Sequence, residues 1–104
     1  MKLEILHVPD CPGAALLEDR LAEVLANHPA AEVDRQVIAS QEEAERAGMT
    51  GSPTLLLDGR DPFARVSQQP AISCRLYRDA DGRSGPAPSV AQLRAVLDVR
   101  AGDA

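Results

Sequence analysis

Apolar residues recur along this chain with two different periods, and the stretches that carry them alternate. Lys2 to Val8 contains Leu3, Ile5 and Leu6, and Pro9, with no N–H to donate, closes the stretch; this predicts a strand. From Pro12 to about Asn27, Leu16, Leu17, Leu21, Val24 and Leu25 fall three and four residues apart. Glu18, Asp19 and Glu23 take the other face, so this stretch predicts an amphipathic helix. Pro12 suits its first turn, where a missing N–H costs nothing, and His28-Pro29 stops it. Glu32 to Ile38, with Val33, Val37 and Ile38, predicts a second strand. Ser40-Gln41-Glu42-Glu43 reads as a capping box that opens a short helix to about Ala47, with Gly48 as its stop.

Beyond Gly48 the pattern shortens. Met49 to Pro53 reads as a loop, Thr54 to Leu57 as a short buried strand and Asp58-Gly59 as a turn. Residues 60 to 71 have no period, and such loops often bind or cover a ligand. Ile72 to Arg78 alternates, with Ile72, Cys74 and Leu76 against Ser73, Arg75 and Tyr77, which predicts a strand with the apolar set inward. Asp79 to Pro88 is turn-rich. Ser89 caps a last helix to about Arg100, with Val90, Leu93, Val96 and Leu97 as its stripe. The order is β-α-β-α-β-β-α. It predicts one α/β domain over residues 1–104, with an ordered core of about 2–100. The first two strands should be parallel. The last two lack an intervening helix and should pair antiparallel, giving one four-stranded mixed sheet with helices on both faces.

Composition removes several function classes. The net charge is −5, and the basic residues are scattered rather than clustered. Phosphate backbones need concentrated positive charge, and single strands need aromatic platforms. Phe63 and Tyr77 are the only aromatics, so no nucleic-acid partner is expected. No run of about 18 apolar residues offers a membrane span. The N-terminal stretch lacks the form of a secretory signal, so a cytoplasmic protein is expected. No two-histidine or Cys/His spacing suggests zinc, Asp58 to Asp61 reads as a turn rather than a cation loop, and no cofactor or metal is expected.

The candidate chemistry lies in the two cysteines. Cys11 falls between the first strand and the first helix, where exposed N–H groups and the helix dipole favour an anion; the thiolate is the reactive form. Asp10 beside it opposes that effect unless it caps the helix and points aside. A buried, inert cysteine is the alternative. Cys74, on the inward set of its strand, reads as a small core residue. In the expected antiparallel sheet it lies too far below Cys11 for a disulfide without movement. The competing reading makes it a resolving thiol, or a second soft-metal ligand with Cys11 and Asp10.

Cys11-Pro12-Gly13-Ala14 at a strand–helix junction, with Ser52-Pro53-Thr54 opening a later strand, resembles the thioredoxin superfamily over about residues 2 to 100. The resemblance implies a single thioredoxin-like domain, a cis Pro53 facing Cys11, and substrate contacts from Pro12, Ser52, Pro53 and Thr54, with Ser52 offering backbone groups to an extended substrate. Gly51 to Thr54, Asp58 to Asp61 and Ser73 to Tyr77 resemble still more closely a group of small actinobacterial-type thioredoxin-like proteins sometimes labelled alkylmercury-lyase-like. The chain departs from the dithiol pattern: Ala14 stands where a second cysteine would, and there is no tryptophan.

The expected function is monothiol thiol–disulfide exchange through Cys11, with Asp10 and Cys74 as further catalytic candidates and a protein or low-molecular-weight thiol or disulfide as partner. The alternatives are a soft-metal or organomercurial protein using Cys11 and Cys74, and a non-catalytic interaction module.

Overall fold

A computed structural model describes residues 1–102. In chain order the elements are β1 (Lys2–His7), α1 (Pro12–Leu25), β2 (Glu32–Val37), α2 (Gln41–Ala47), β3 (Thr50–Ser52), β4 (Thr54–Leu57), β5 (Ala71–Cys74), β6 (Tyr77–Arg78), β7 (Ser84–Gly85) and α3 (Val90–Gly102). The described residues are α/β, with three helices and mixed strand pairing. No helix of the described residues is long and apolar enough to cross a membrane.

The helix ends follow the local chemistry. Ser40 Oγ accepts the Glu43 N–H at 3.1 Å, and Gly48 closes α2 in the left-handed region at φ 84°. Ser89 and Gln92 cap α3 reciprocally, each side chain taking the other's backbone N–H. The Asp58-Gly59 turn is a two-residue hairpin, with positive φ at both positions and backbone bonds between Leu57 and Arg60 in both directions. That is the turn whose twist suits antiparallel strands.

The central sheet runs β2-β1-β4, with β1 parallel to β2 and antiparallel to β4. Leu3, Ile5, Leu55 and Leu57 point to one face of it. There they meet Leu17, Leu21 and Val24 of α1 and Leu93 and Leu97 of α3. Leu6 and Leu56 point to the other face, against Ile38, Met49 and Ala44 of α2. Helices therefore cover both faces as expected. Full burial of each such leucine is worth about 1.5–3 kcal/mol, which is what fixes α1 and α3 on the sheet.

The expected single four-stranded sheet is not formed. The strands divide into the three-stranded sheet, a β3-β5 pair and a β6-β7 pair. Pro53 separates β3 from β4. It has no N–H to continue a ladder, and Gly51, two residues earlier, takes a φ of +107°. Beyond the Leu57–Arg60 bridge the chain after β4 does not pair back along it. It travels back to the start of β3, where the Met49 carbonyl accepts the Ala71 N–H at 3.0 Å and Gln41 Nε2 donates to the Pro70 carbonyl at 2.8 Å. Entering there, β5 runs parallel to β3, correcting the antiparallel expectation.

The inward set of this segment is also reversed. Arg75 and Tyr77 are buried, while Ile72, Cys74 and Leu76 are exposed. The reversal has a physical cause in the partners available to a guanidinium. Arg75 Nη1 donates to Asp61 Oδ2 at 2.7 Å and to Thr50 Oγ1 at 3.1 Å, and Nη2 donates to the Phe63 carbonyl at 2.8 Å. The Arg75 guanidinium also lies 4.6 Å from the centre of the Tyr77 ring. The aperiodic 60–71 segment is thus a binding loop for the chain's own arginine, since Asp61 and Phe63 belong to it. The turn-rich stretch 79–88 contains β7, which pairs antiparallel with β6 around Asp79 Oδ1 as acceptor for the Asp81 and Arg83 N–H groups.

Candidate functional site

Cys11 is the N-cap of α1, with extended backbone at φ −79° and ψ 112°. Pro12 follows it in the first turn, and no side chain caps this end of the helix. Two N-terminal features therefore remain in place: helix amides unsatisfied by any side-chain oxygen, and a dipole that favours negative charge. Asp10 does not supply the cap. It is exposed, takes a left-handed φ of 56° as aspartate tolerates, and belongs to the turn ahead of the helix.

The peptide bond between Ser52 and Pro53 is cis. Gly13 lets α1 approach this segment. A Cβ on Gly13 would lie 2.9 Å from Pro53 Cδ and 2.6 Å from the Pro86 carbonyl oxygen. The close approach sets Ser52 against the thiol. Ser52 Oγ donates to Cys11 Sγ at 3.1 Å and accepts the Val8 N–H at 3.0 Å. Because Val8 supplies the proton on the accepting side, the hydroxyl's own proton is free to point at sulfur. Cys11 is partly exposed and free of any disulfide. The arrangement is an accessible thiol with a fixed hydrogen-bond donor and a helix N-terminus beside it.

The remaining expected contacts divide. Pro12 is exposed at the mouth of the site, and Pro53 is buried behind it. Thr54 is fully buried, and its hydroxyl is spent inside the protein, donating to the Gly51 carbonyl at 2.7 Å and accepting the Thr50 N–H at 3.2 Å. The Ser52 carbonyl already accepts the Arg75 N–H at 3.0 Å. β5 therefore occupies the backbone edge that an extended substrate was expected to use.

Cys74 is exposed, not a core residue, and the ladder pairs it directly with Ser52. The expectation that it lies too far below Cys11 for a disulfide without movement was built on an antiparallel sheet that is not formed. His7 turns its Nδ1 to the Val8 carbonyl at 2.8 Å. His28 pairs with Asp98 at 3.1 Å, linking the end of α1 to α3. Among the described residues no group of three or more His, Cys, Asp or Glu side chains is placed to hold a metal ion.

Four residues support the site from around it. Gly13 admits the close approach. Tyr77 donates its hydroxyl to the Pro53 carbonyl and so holds the segment that carries Ser52. Burial pushes the Tyr77 phenol well above its ordinary value of 10.0; Arg75 draws it back, and Asp61 and Cys11 add to the rise. Tyr77 is thus a neutral donor throughout the physiological range. Arg75 and Asp61 anchor β5. The available signal was the chain's single tyrosine two residues from an arginine inside a strand pattern, since a buried tyrosine hydroxyl needs a partner. In comparisons with known proteins, no family model, no curated protein and no solved structure matches this chain.

Proposed function

We propose that this chain is a thioredoxin-like protein that carries out thiol–disulfide exchange through Cys11. The observation that carries the reading is the 3.1 Å hydrogen bond from Ser52 Oγ to Cys11 Sγ at the N-terminus of α1. The β-α-β start, the antiparallel β4 and the cis Ser52–Pro53 bond packed on Gly13 support the family likeness. The Cys11 thiolate attacks one sulfur of a disulfide, forms a mixed disulfide, and expels the other sulfur as a thiolate. Ser52 steadies the sulfur before attack.

The occupied Ser52 carbonyl bears on the partner. A protein substrate lying as an added strand would have to displace β5, whereas a low-molecular-weight disulfide reaches the partly exposed sulfur from the side of Pro12. The reading therefore favours a small disulfide or thiol over an extended polypeptide.

The test uses Cys74→Ser, which leaves Cys11 as the single thiol. Its alkylation by iodoacetamide at neutral pH should run several-fold faster than that of a free cysteine peptide. Ser52→Ala in the same background should remove much of the difference. A Cys11 rate equal to that of the peptide refutes the exchange reading.

A further inference from the structure

We infer that Cys74 is a second reacting thiol, which attacks the mixed disulfide on Cys11 and closes an internal Cys11–Cys74 disulfide beside Ser52. This rests on the exchange proposed for Cys11 and deepens it by naming the group that completes the reaction.

The first support is register. Ser52 and Cys74 are direct partners in the parallel β3-β5 ladder. Directly paired residues on adjacent strands send their Cβ atoms to the same face, with the strands about 4.8 Å apart. The Ser52 side chain on that face reaches Cys11 Sγ at 3.1 Å. Cys74 therefore leaves β5 on the face that holds Cys11, one strand spacing beyond the residue that touches it.

The second support comes from the opposite face. Arg75 directly follows β5, where its N–H still bonds the Ser52 carbonyl, and successive residues of an extended chain point to opposite faces. Arg75 does so: it packs against Gly51, where an added Cβ would lie 2.8 Å from Arg75 Cβ, and its guanidinium runs on to Asp61. The anchoring of Arg75 thus fixes which way Cys74 faces. Cys74 is also exposed and in no disulfide, so it is open to reaction. On α1, Ala14 stands in place of a second helix thiol. The strand, not the helix, supplies the partner.

The chemistry balances with a low-molecular-weight disulfide as oxidant. The Cys11 thiolate attacks it, forming a mixed disulfide and releasing one small thiolate. The Cys74 thiol gives its proton to solvent, and its thiolate attacks Cys11 Sγ, breaking the mixed disulfide and releasing the second small thiolate. The protein dithiol loses two electrons, and the small disulfide gains them as two thiols. Closing the bond takes Cys11 Sγ off the Ser52 hydroxyl.

The experiment treats the reduced full-length chain with glutathione disulfide, quenches with acid, and reads intact mass and non-reducing peptide maps for the wild type, Cys74→Ser and Cys11→Ser. The expected wild-type product is a monomer lighter by two hydrogens, with one cross-linked peptide pair containing Cys11 and Cys74. Cys74→Ser should keep a glutathione adduct on Cys11, cleared by added thiol about tenfold or more slowly than the wild-type adduct resolves, since a tethered thiol acts at an effective concentration in the millimolar range. A wild-type chain that keeps its Cys11 adduct, or links Cys74 only between two copies, overturns the inference and leaves exchange at Cys11 standing. A Cys11 that takes up no glutathione in any form overturns both.

Discussion

Replacing Asp61 by asparagine tests the account of why β5 lies as it does. The Asp61 and Arg75 side chains are 11% and 4% exposed and meet at 2.7 Å. Solvent therefore screens this pair little, unlike the exposed Lys2–Asp34 and Arg46–Glu42 pairs. Removing one partner of a buried pair costs about 3–5 kcal/mol, because the other charge is left uncompensated. Arg75 would keep Thr50 Oγ1, the Phe63 carbonyl and the Tyr77 ring, which places the expected loss near the lower end, about 3 kcal/mol. Against a total stability of about 5–15 kcal/mol that is a large fraction. For a chain of this size it lowers the thermal midpoint by roughly 12 to 18 °C. Urea unfolding followed by circular dichroism should show the midpoint fall with the slope unchanged. The double variant Asp61→Asn with Arg75→Met removes both charges and should recover much of the loss. An Asp61→Asn protein within about 0.5 kcal/mol of wild type, the range of ordinary surface changes, refutes the reasoning. So does a double variant less stable than the single one.

Gly13→Ala should destabilise the protein although alanine is the better helix former by about 1 kcal/mol, since its Cβ would overlap the Pro86 carbonyl and Pro53 Cδ and overpacking costs about 1–3 kcal/mol; a raised urea midpoint would count against the close approach. Asp58 is held below its ordinary value of 3.8, first by the Lys2 N–H and then by Arg100. Its contribution is therefore present above that value and lost as pH falls through the lower folded one. Asp58→Asn should lower the thermal midpoint near neutrality and match the wild type well below pH 3.8, and an equal gap at both pH values would contradict this assignment.

Much of the frame was legible because local rules decided it. Pro12 marks a helix start by its missing N–H, and Ser40, Gly48 and Ser89 mark helix ends through caps that involve residues three or four positions away. The leucine spacing of α1 matches Leu17, Leu21 and Val24 in the core. Cys11 at the strand–helix junction was legible for the same reason. The face of β5 was not, because alternation reports which residues are apolar and not which have partners. Arg75 is buried by virtue of Asp61, fourteen positions away in a segment without periodicity. Ile72 and Leu76 face outward as a result, at 41% and 66% exposure. Strand order failed for a related reason: the return of the chain to β3 depends on long-range bonds from Gln41 and Met49 that no local pattern announces. The position of Cys74 was misread through both errors together.

The division of the strands into separate sheets leaves open edges, and β2 and β5 guard theirs differently. β2 carries Glu32, Asp34 and Arg35, and Arg35 is bonded to Glu18 at 2.9 Å. Charges along an outer strand deter pairing with a second chain. Ala71, Ile72, Ser73 and Cys74 of β5 have no charge among them, and among the described residues no strand pairs with the side of β5 away from β3. Aggregation by edge-to-edge addition is thus concentrated at β5. An exposed thiol sits at its end, so under oxidising storage a chance encounter there is open to covalent capture, and a reducing buffer protects the monomer at that edge.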